Sequence, residues 1–138
     1  MSHATTYDLT IPSDRESIRS IEPFIASIEP LRMLGPERYY NMLLAITEAV
    51  NNAIIHGNGC DAQKMVSIVI QCSSREILMI VRDQGHGFDE SAVPDPRQPD
   101  RLLVDGGRGI FLIRQLSDVV EFHPSRMGTT VFLHFFLP

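Results

Sequence analysis

The sequence has no apolar run approaching the roughly 18 residues that a membrane-spanning helix needs. Its opening, MSHATTYDLT, lacks both the basic and the apolar segment of a signal peptide. Cysteine is scarce: Cys60 and Cys72 match neither a zinc pattern nor a disulfide framework, which points to a reducing cytoplasm. Lysine is scarcer still. Lys64 is the only one, and it sits in the wrong place for a Walker A loop. Basic residues number 12 against 17 acidic, for a net charge of −5. No basic stripe forms, which argues against a non-specific nucleic-acid binder and leaves a solvated acidic surface as the simplest reading. Internal repeats and low-complexity tracts are absent as well.

What remains is globular in composition. Of the 138 residues, 43% are hydrophobic and 21% charged, which suits one domain over residues 1–138 with a proper core. Thr5 to Ile11 reads as a first strand. Ser13-Asp14-Arg15-Glu16 reads as a capping box opening a helix with Ile18, Ile21, Ile25 and Ile28 on one face. Pro23 kinks that helix and Pro30 ends it. Pro36 stands at a first helical position, and from there to His56 the chain holds no Pro or Gly, which predicts a long helix. Gly57-Asn58-Gly59 stops it with residues that tolerate left-handed backbone.

Met65 to Cys72 and Ile77 to Arg82 are β-branched and apolar, and predict an antiparallel hairpin. Asp89 to Asp105 is proline-rich and acidic without a sustained period, the signature of a flexible lid or binding loop. Ile110 to Leu116 is helical. Val119 to Phe122 and Thr129 to Leu137 complete the order as two strands. The expected architecture is an α+β sandwich, a mixed and mostly antiparallel sheet with helices on one face.

Four patterns carry chemistry. Glu48, Asn52 and His56 recur at i, i+4 and i+8, one stripe of a helix. An amide oxygen at Asn52 can ligate Mg²⁺, and a carboxylate at Glu48 can accept a proton from an attacking hydroxyl. The wet face of an ordinary helix has the same look. Asp83-Gln84-Gly85-His86-Gly87 follows a strand and sets one acceptor beside glycine backbone that a ligand can approach. Such an acceptor can take the exocyclic amino hydrogen of adenine. Gly106-Gly107-Arg108-Gly109 precedes a helix, where free N–H groups and Arg108 favour an anion. It does not match GxGxxG. Gly128-Thr129-Thr130 opens the last strand.

In this order and spacing the four patterns resemble the GHKL ATP-binding fold shared by histidine kinases, gyrase B and MutL. The N box is Glu48 to Asn52, the G1 box Asp83 to Gly87 and the G2 box Gly107 to Gly109. TEAVNNAIIHGN, GGRGIFLIRQLSDVVEF and the late GTT are most similar to the small anti-sigma-factor serine/threonine kinases of the RsbW and SpoIIAB kind.

That resemblance implies ATP and Mg²⁺ as cofactors, with Asn52 on the metal and Glu48 as the base for an acceptor serine or threonine. It places Asp83 on the adenine amino group, Gly85 and Gly87 on the pocket floor, and Gly107, Arg108 and Gly109 at the phosphates. Thr130 is expected near the adenine, and His56 matches the family's His-Gly. With no histidine-bearing helix ahead and no transducer behind, histidine-kinase and gyrase chemistry are not expected. The implied partners are an anti-anti-sigma (STAS-domain) substrate, a sigma factor and a second copy of the chain, with Phe135-Phe136-Leu137 either a dimer face or an edge strand packed against the first helix. No nucleic acid or membrane is expected. The alternative is a binding module that uses ATP to clamp a partner; it would need Asn52 and Asp83 but not Glu48.

Overall fold

The computed structural model describes residues 4–85 and 107–138. Strand β1 (Thr5–Pro12) leads into a 3-10 turn (Arg15–Ser20) and the short helices α1 (Ile21–Ala26) and α2 (Glu29–Arg32). The long helix α3 (Pro36–Asn52) runs on into a π turn (Ala53–Gly57). Strands β2 (Met65–Cys72) and β3 (Glu76–Arg82) follow, then helix α4 (Gly107–Leu116), β4 (Val119–Ser125) and β5 (Gly128–Phe136). The five strands form one sheet in the order β1-β2-β3-β5-β4, with every neighbouring pair antiparallel.

Strict alternation builds the sheet. Val66, Ile68, Ile70 and Cys72 on β2 are buried, as are Ile77, Met79 and Val81 on β3 and Leu133 and Phe135 on β5. Register aligns them in rows: Ile70 faces Met79, which faces Leu133. A one-residue slip would turn every one of these side chains to the other face. The helices cover this face with Ile21, Ile25, Ile28, Leu31, Ile46 and Ile113, all buried. At about 1.5–3 kcal/mol for each fully buried aliphatic side chain, this shared face dominates the stability of the fold.

Helix α3 packs into the core through Met42, Ala45, Ile46, Ala49 and Val50. Ala45, Ala49 and Ala53 recur every fourth residue and are buried, a line of small side chains that lets its neighbours come close. Leu44, Glu48 and Asn52 form the adjacent stripe and are half-buried. The helix starts at Gly35, whose φ of 94° and ψ of 159° suit glycine, followed by Pro36 at the first helical position.

The expected sandwich is what the structure shows, but the N-terminal helical stretch differs from expectation. The cap of the first turn is Asp14, whose carboxylate accepts from the Ser17 amide at 2.8 Å, whereas Ser13 is buried and donates to the Lys64 carbonyl at 2.6 Å. In place of one kinked helix there are three short pieces. The Ser27 hydroxyl donates to the Phe24 carbonyl and Ile28 is extended, so the break precedes Pro30, which opens α2 rather than ending its predecessor. The left-handed residues closing the α3 segment are Gly59 and Cys60, at φ of 62° and 58°; Asn58 stays right-handed. Residues 89–105, read as a lid, lie outside the described residues.

Candidate functional site

The end of β3 delivers a carboxylate into the fold. Arg82 is exposed, but Asp83 beside it is only 6% exposed, because its backbone is stitched to β5: the Asp83 N–H donates to the Thr129 carbonyl at 3.0 Å. Its Oδ1 accepts two backbone N–H groups, from Gly85 at 3.0 Å and Thr129 at 2.9 Å. These two donors pin the carboxylate's direction. Oδ2 receives no donor from the described residues and faces Gly57.

Three glycines make this seat possible. A Cβ at Gly57 would overlap the Asp83 carboxylate, one at Gly85 would overlap the Gly57 carbonyl, and one at Gly128 would overlap the Asp83 carbonyl. Gly128 also has φ of 132°. The π turn is what carries Gly57 to this point: the Asn58 N–H reaches back five residues to the Ala53 carbonyl at 2.8 Å. With Oδ1 occupied and Oδ2 aimed into a glycine-lined seat, Asp83 can accept a hydrogen from an amino group approaching past backbone.

The second half of the site lies on α3 and α4. Helix α4 packs on α3, and its third residue, Gly109, lies against both polar side chains of the stripe. A Cβ there would stand 3.1 Å from Glu48 Oε2, 3.1 Å from Asn52 Nδ2 and 3.2 Å from Asn52 Oδ1. Gly109 is buried, and an added Cβ would require these two side chains to give by a few tenths of an ångström. Gly107 begins the ten-residue helix, whose unpaired N–H groups present partial positive charge to this spot. A carboxylate, an amide and a helix N-terminus together suit an anion and a hard cation held between protein and anion.

One helix joins the two halves. From Glu48 to Gly57 is nine residues, roughly 13 Å along the axis at 1.5 Å per residue. The structure thus brings Glu48 and Asn52 together at Gly109, and Asp83 and Gly85 together at Gly57. Arg108 is the second residue of α4, but its side chain and Gly87 lie outside the described residues. His56 is exposed on the π turn. Thr130 is not brought in. It pairs with Arg82 and alternates with the core-facing Val131 and Leu133, so its side chain lies on the sheet face away from the helices. The backbone of Thr129 reaches Asp83 instead.

Gly57, Asn58, Gly128 and the Thr129 N–H were not singled out as site residues from sequence. The first two sat inside a stretch read as a helix stop, and the last two in a motif of which only Thr130 was chosen.

A sheet-backed helix with a buried carboxylate at one end and a carboxylate, an amide and a helix N-terminus at the other is consistent with a nucleotide-binding domain of the ATPase type. Residues 11–135 match the family model described as Histidine kinase-like ATPase domain, and the chain belongs to that family. It is 34% identical over 128 residues to an anti-sigma F factor of Shouchella clausii, covering 88% of this chain and 84% of that protein. With the serine-protein kinase RsbW of Oceanobacillus iheyensis it shares 24% identity over 127 residues, covering 88% and 80%. Among solved structures, the RsbU and RsbW domains of a Mycobacterium tuberculosis protein superpose with a TM-score of 0.67 at 17% identity. That match covers 97% of this chain but spans about a third of the other, at 33%, and it speaks to the fold alone.

Proposed function

We propose that this chain is a Mg²⁺-dependent protein serine/threonine kinase and anti-sigma factor, which phosphorylates an anti-anti-sigma (STAS-domain) protein and sequesters a sigma factor. The observation that carries the reading is the packing of Gly109 against both Glu48 Oε2 and the Asn52 amide. A module that only clamps ATP needs a base acceptor and an amide, but has no use for a carboxylate at the same helix N-terminus. The names of the relatives, anti-sigma F factor and serine-protein kinase, support the same reading.

Asp83 Oδ2 accepts the adenine amino group, and Gly85 forms the floor beside it. The N–H groups of α4, from Gly107 through Gly109 with Arg108 beside them, receive the phosphates. Among the described residues no cluster of three His, Cys, Asp or Glu side chains stands ready for a metal. Mg²⁺ does not require one, since it keeps water and phosphate oxygens and takes one or two oxygens from protein, and Asn52 Oδ1 fits that need. The bound ion would supply neutralisation of the charge that develops on the phosphates. Glu48 accepts the proton of the acceptor hydroxyl as its oxygen bonds to the γ-phosphorus, and the bond from that phosphorus to the bridging oxygen breaks to leave ADP.

A second copy of the chain is the third proposed partner. The sheet face away from the helices carries Val69, Leu78, Ile80 and Phe132, with Phe136 48% exposed at its end, and no described element covers it. No helix among the described residues is long and apolar enough to cross a membrane. The proposed location is the cytoplasm, where a sigma factor would be met.

Calorimetric titration of ATP with and without Mg²⁺, on wild type and Asn52→Ala, tests the site. Transfer of the γ-phosphate to a STAS-domain protein then tests the kinase. Mg²⁺-dependent binding that Asn52→Ala weakens, together with transfer, is expected. Tight binding with no transfer to any serine or threonine would replace the kinase with the clamp.

A further inference from the structure

Asn58 is only 3% exposed, yet every hydrogen-bonding group on it is used. Its Nδ2 donates to Ser13 Oγ at 2.7 Å and to the Met65 carbonyl at 3.1 Å, and its Oδ1 accepts the Gln84 N–H at 2.7 Å. The amide cannot be turned around, because one backbone partner is a carbonyl that only accepts and the other an N–H that only donates. The Met65 N–H donates to Gln84 Oε1 at 2.6 Å, which closes a ring through Asn58, Met65 and Gln84. Ser13, in turn, is anchored to the Lys64 carbonyl. Asn58 thus ties the end of α3 to the end of β1, the start of β2 and the residue immediately after Asp83.

We propose that Asn58 is a positioning residue that aims the Asp83 carboxylate and thereby sets the site's preference for a purine bearing a 6-amino group. The inference rests on the reading of Asp83 as the base acceptor. Holding the Gln84 N–H fixes the peptide that follows Asp83, and Gly85, one residue further, donates back to Asp83 Oδ1. The same Asn58 follows Gly57, which lies against Oδ2. The seat and the carboxylate are therefore referenced to one side chain. Without it, the Gln84 N–H and the Met65 carbonyl lose their partner, and the turn carrying Asp83 loses the bond that holds it.

The test compares binding of ATP with that of purine riboside triphosphate, which lacks the 6-amino group, to wild type, Asn58→Ala, Asp83→Asn and the double variant. Wild type is expected to prefer ATP by about tenfold or more, the value of one charge-assisted hydrogen bond. Asn58→Ala is expected to remove most of that preference while binding the analogue within about threefold of wild type, and to add little to Asp83→Asn, as two changes acting on one contact do. Ser13→Ala, which removes one partner of Nδ2 and leaves the Gln84 contact intact, serves where Asn58→Ala does not fold, and is expected to lower the preference by part of that amount. Equal weakening of both nucleotides, or an unchanged preference in a folded variant, overturns the positioning role and makes Asn58 a structural tie alone. A wild-type protein that binds both nucleotides equally overturns the adenine reading itself; that failure is distinct, because it shows with Asn58 intact.

Discussion

Gly57→Ala is expected to damage the site and the fold together, although alanine is the better helix former. At a helical position with ordinary φ the exchange alone would stabilise by about 0.5–1 kcal/mol. Here the added Cβ falls on the Asp83 carboxylate, at 2.9 Å from its Cβ and closer still to its Cγ and Oδ2. The carboxylate has nowhere to retreat, since Oδ1 is held by the N–H groups of Gly85 and Thr129 and Gly128 closes the side of its own carbonyl. Relief requires giving up both bonds to Oδ1 or moving the π turn. Two hydrogen bonds to a charged group, at about 1.5–3 kcal/mol each, outweigh the gain in helix propensity. The net loss is about 2–5.5 kcal/mol, and ATP affinity falls by tenfold or more as Oδ2 is displaced. Urea unfolding followed by circular dichroism measures the first quantity, and calorimetry at a temperature where the variant is folded measures the second. An alanine variant as stable as wild type, with ATP affinity within twofold, would refute the argument that Gly57 is there to make room for Asp83.

Three further outcomes are expected. Glu48→Gln keeps the shape of the side chain and removes the base, so phosphate transfer to the STAS-domain partner should fall by about 10²–10⁴-fold while ATP binds within about threefold of wild type; transfer above a tenth of the wild-type rate would take Glu48 out of that role. Gly35→Ala meets no atom within 4 Å, yet should cost about 1–3 kcal/mol because φ of 94° with ψ of 159° is all but closed to a Cβ. Equal urea midpoints for the two proteins would count against that. A thiol reagent on the native protein should modify the exposed Cys60 and spare Cys72, whose thiol burial pushes above its ordinary pKa, so that less thiolate is available; equal labelling rates, read by mass spectrometry, would contradict the packing of β2.

How far the fold can be read from sequence differs by element, for physical reasons. The range read for β2, Met65 to Cys72, coincides with the strand, because one face is buried residue by residue and alternation has a single solution. Helix α3 was legible for another reason, the lack of Pro and Gly between Pro36 and His56. Arg15 to Arg32 was not. Its isoleucines repeat as a helix would, and Ile21, Ile25 and Ile28 are buried with Ile18 half-buried, but the breaks are set by hydrogen bonds such as Ser27 to Phe24 that no apolar period encodes. Nor does a serine or an aspartate side by side reveal which caps; that was decided by Lys64, 51 residues from Ser13.

The site divides along a similar line. Glu48 and Asn52 were visible because their relation is local, one turn of one helix. The choice between Thr129 and Thr130 could not be made locally, since it depends on the pairing of β5 with β3, which sets Thr130 opposite Arg82 and turns it from the helices. Gly57 and the Thr129 N–H act through a missing side chain and a backbone group, and neither leaves a chemical mark in the sequence. Asn58 does leave one, but a marginal one: an asparagine between two glycines is the ordinary sign of a helix end. What distinguishes it is burial with all its amide groups engaged, and burial of a residue in a Gly-Asn-Gly stretch arises only when β1, β2 and β3 converge on it. The residues that carry the proposed chemistry were thus readable from spacing, whereas those that aim them became readable only from the fold.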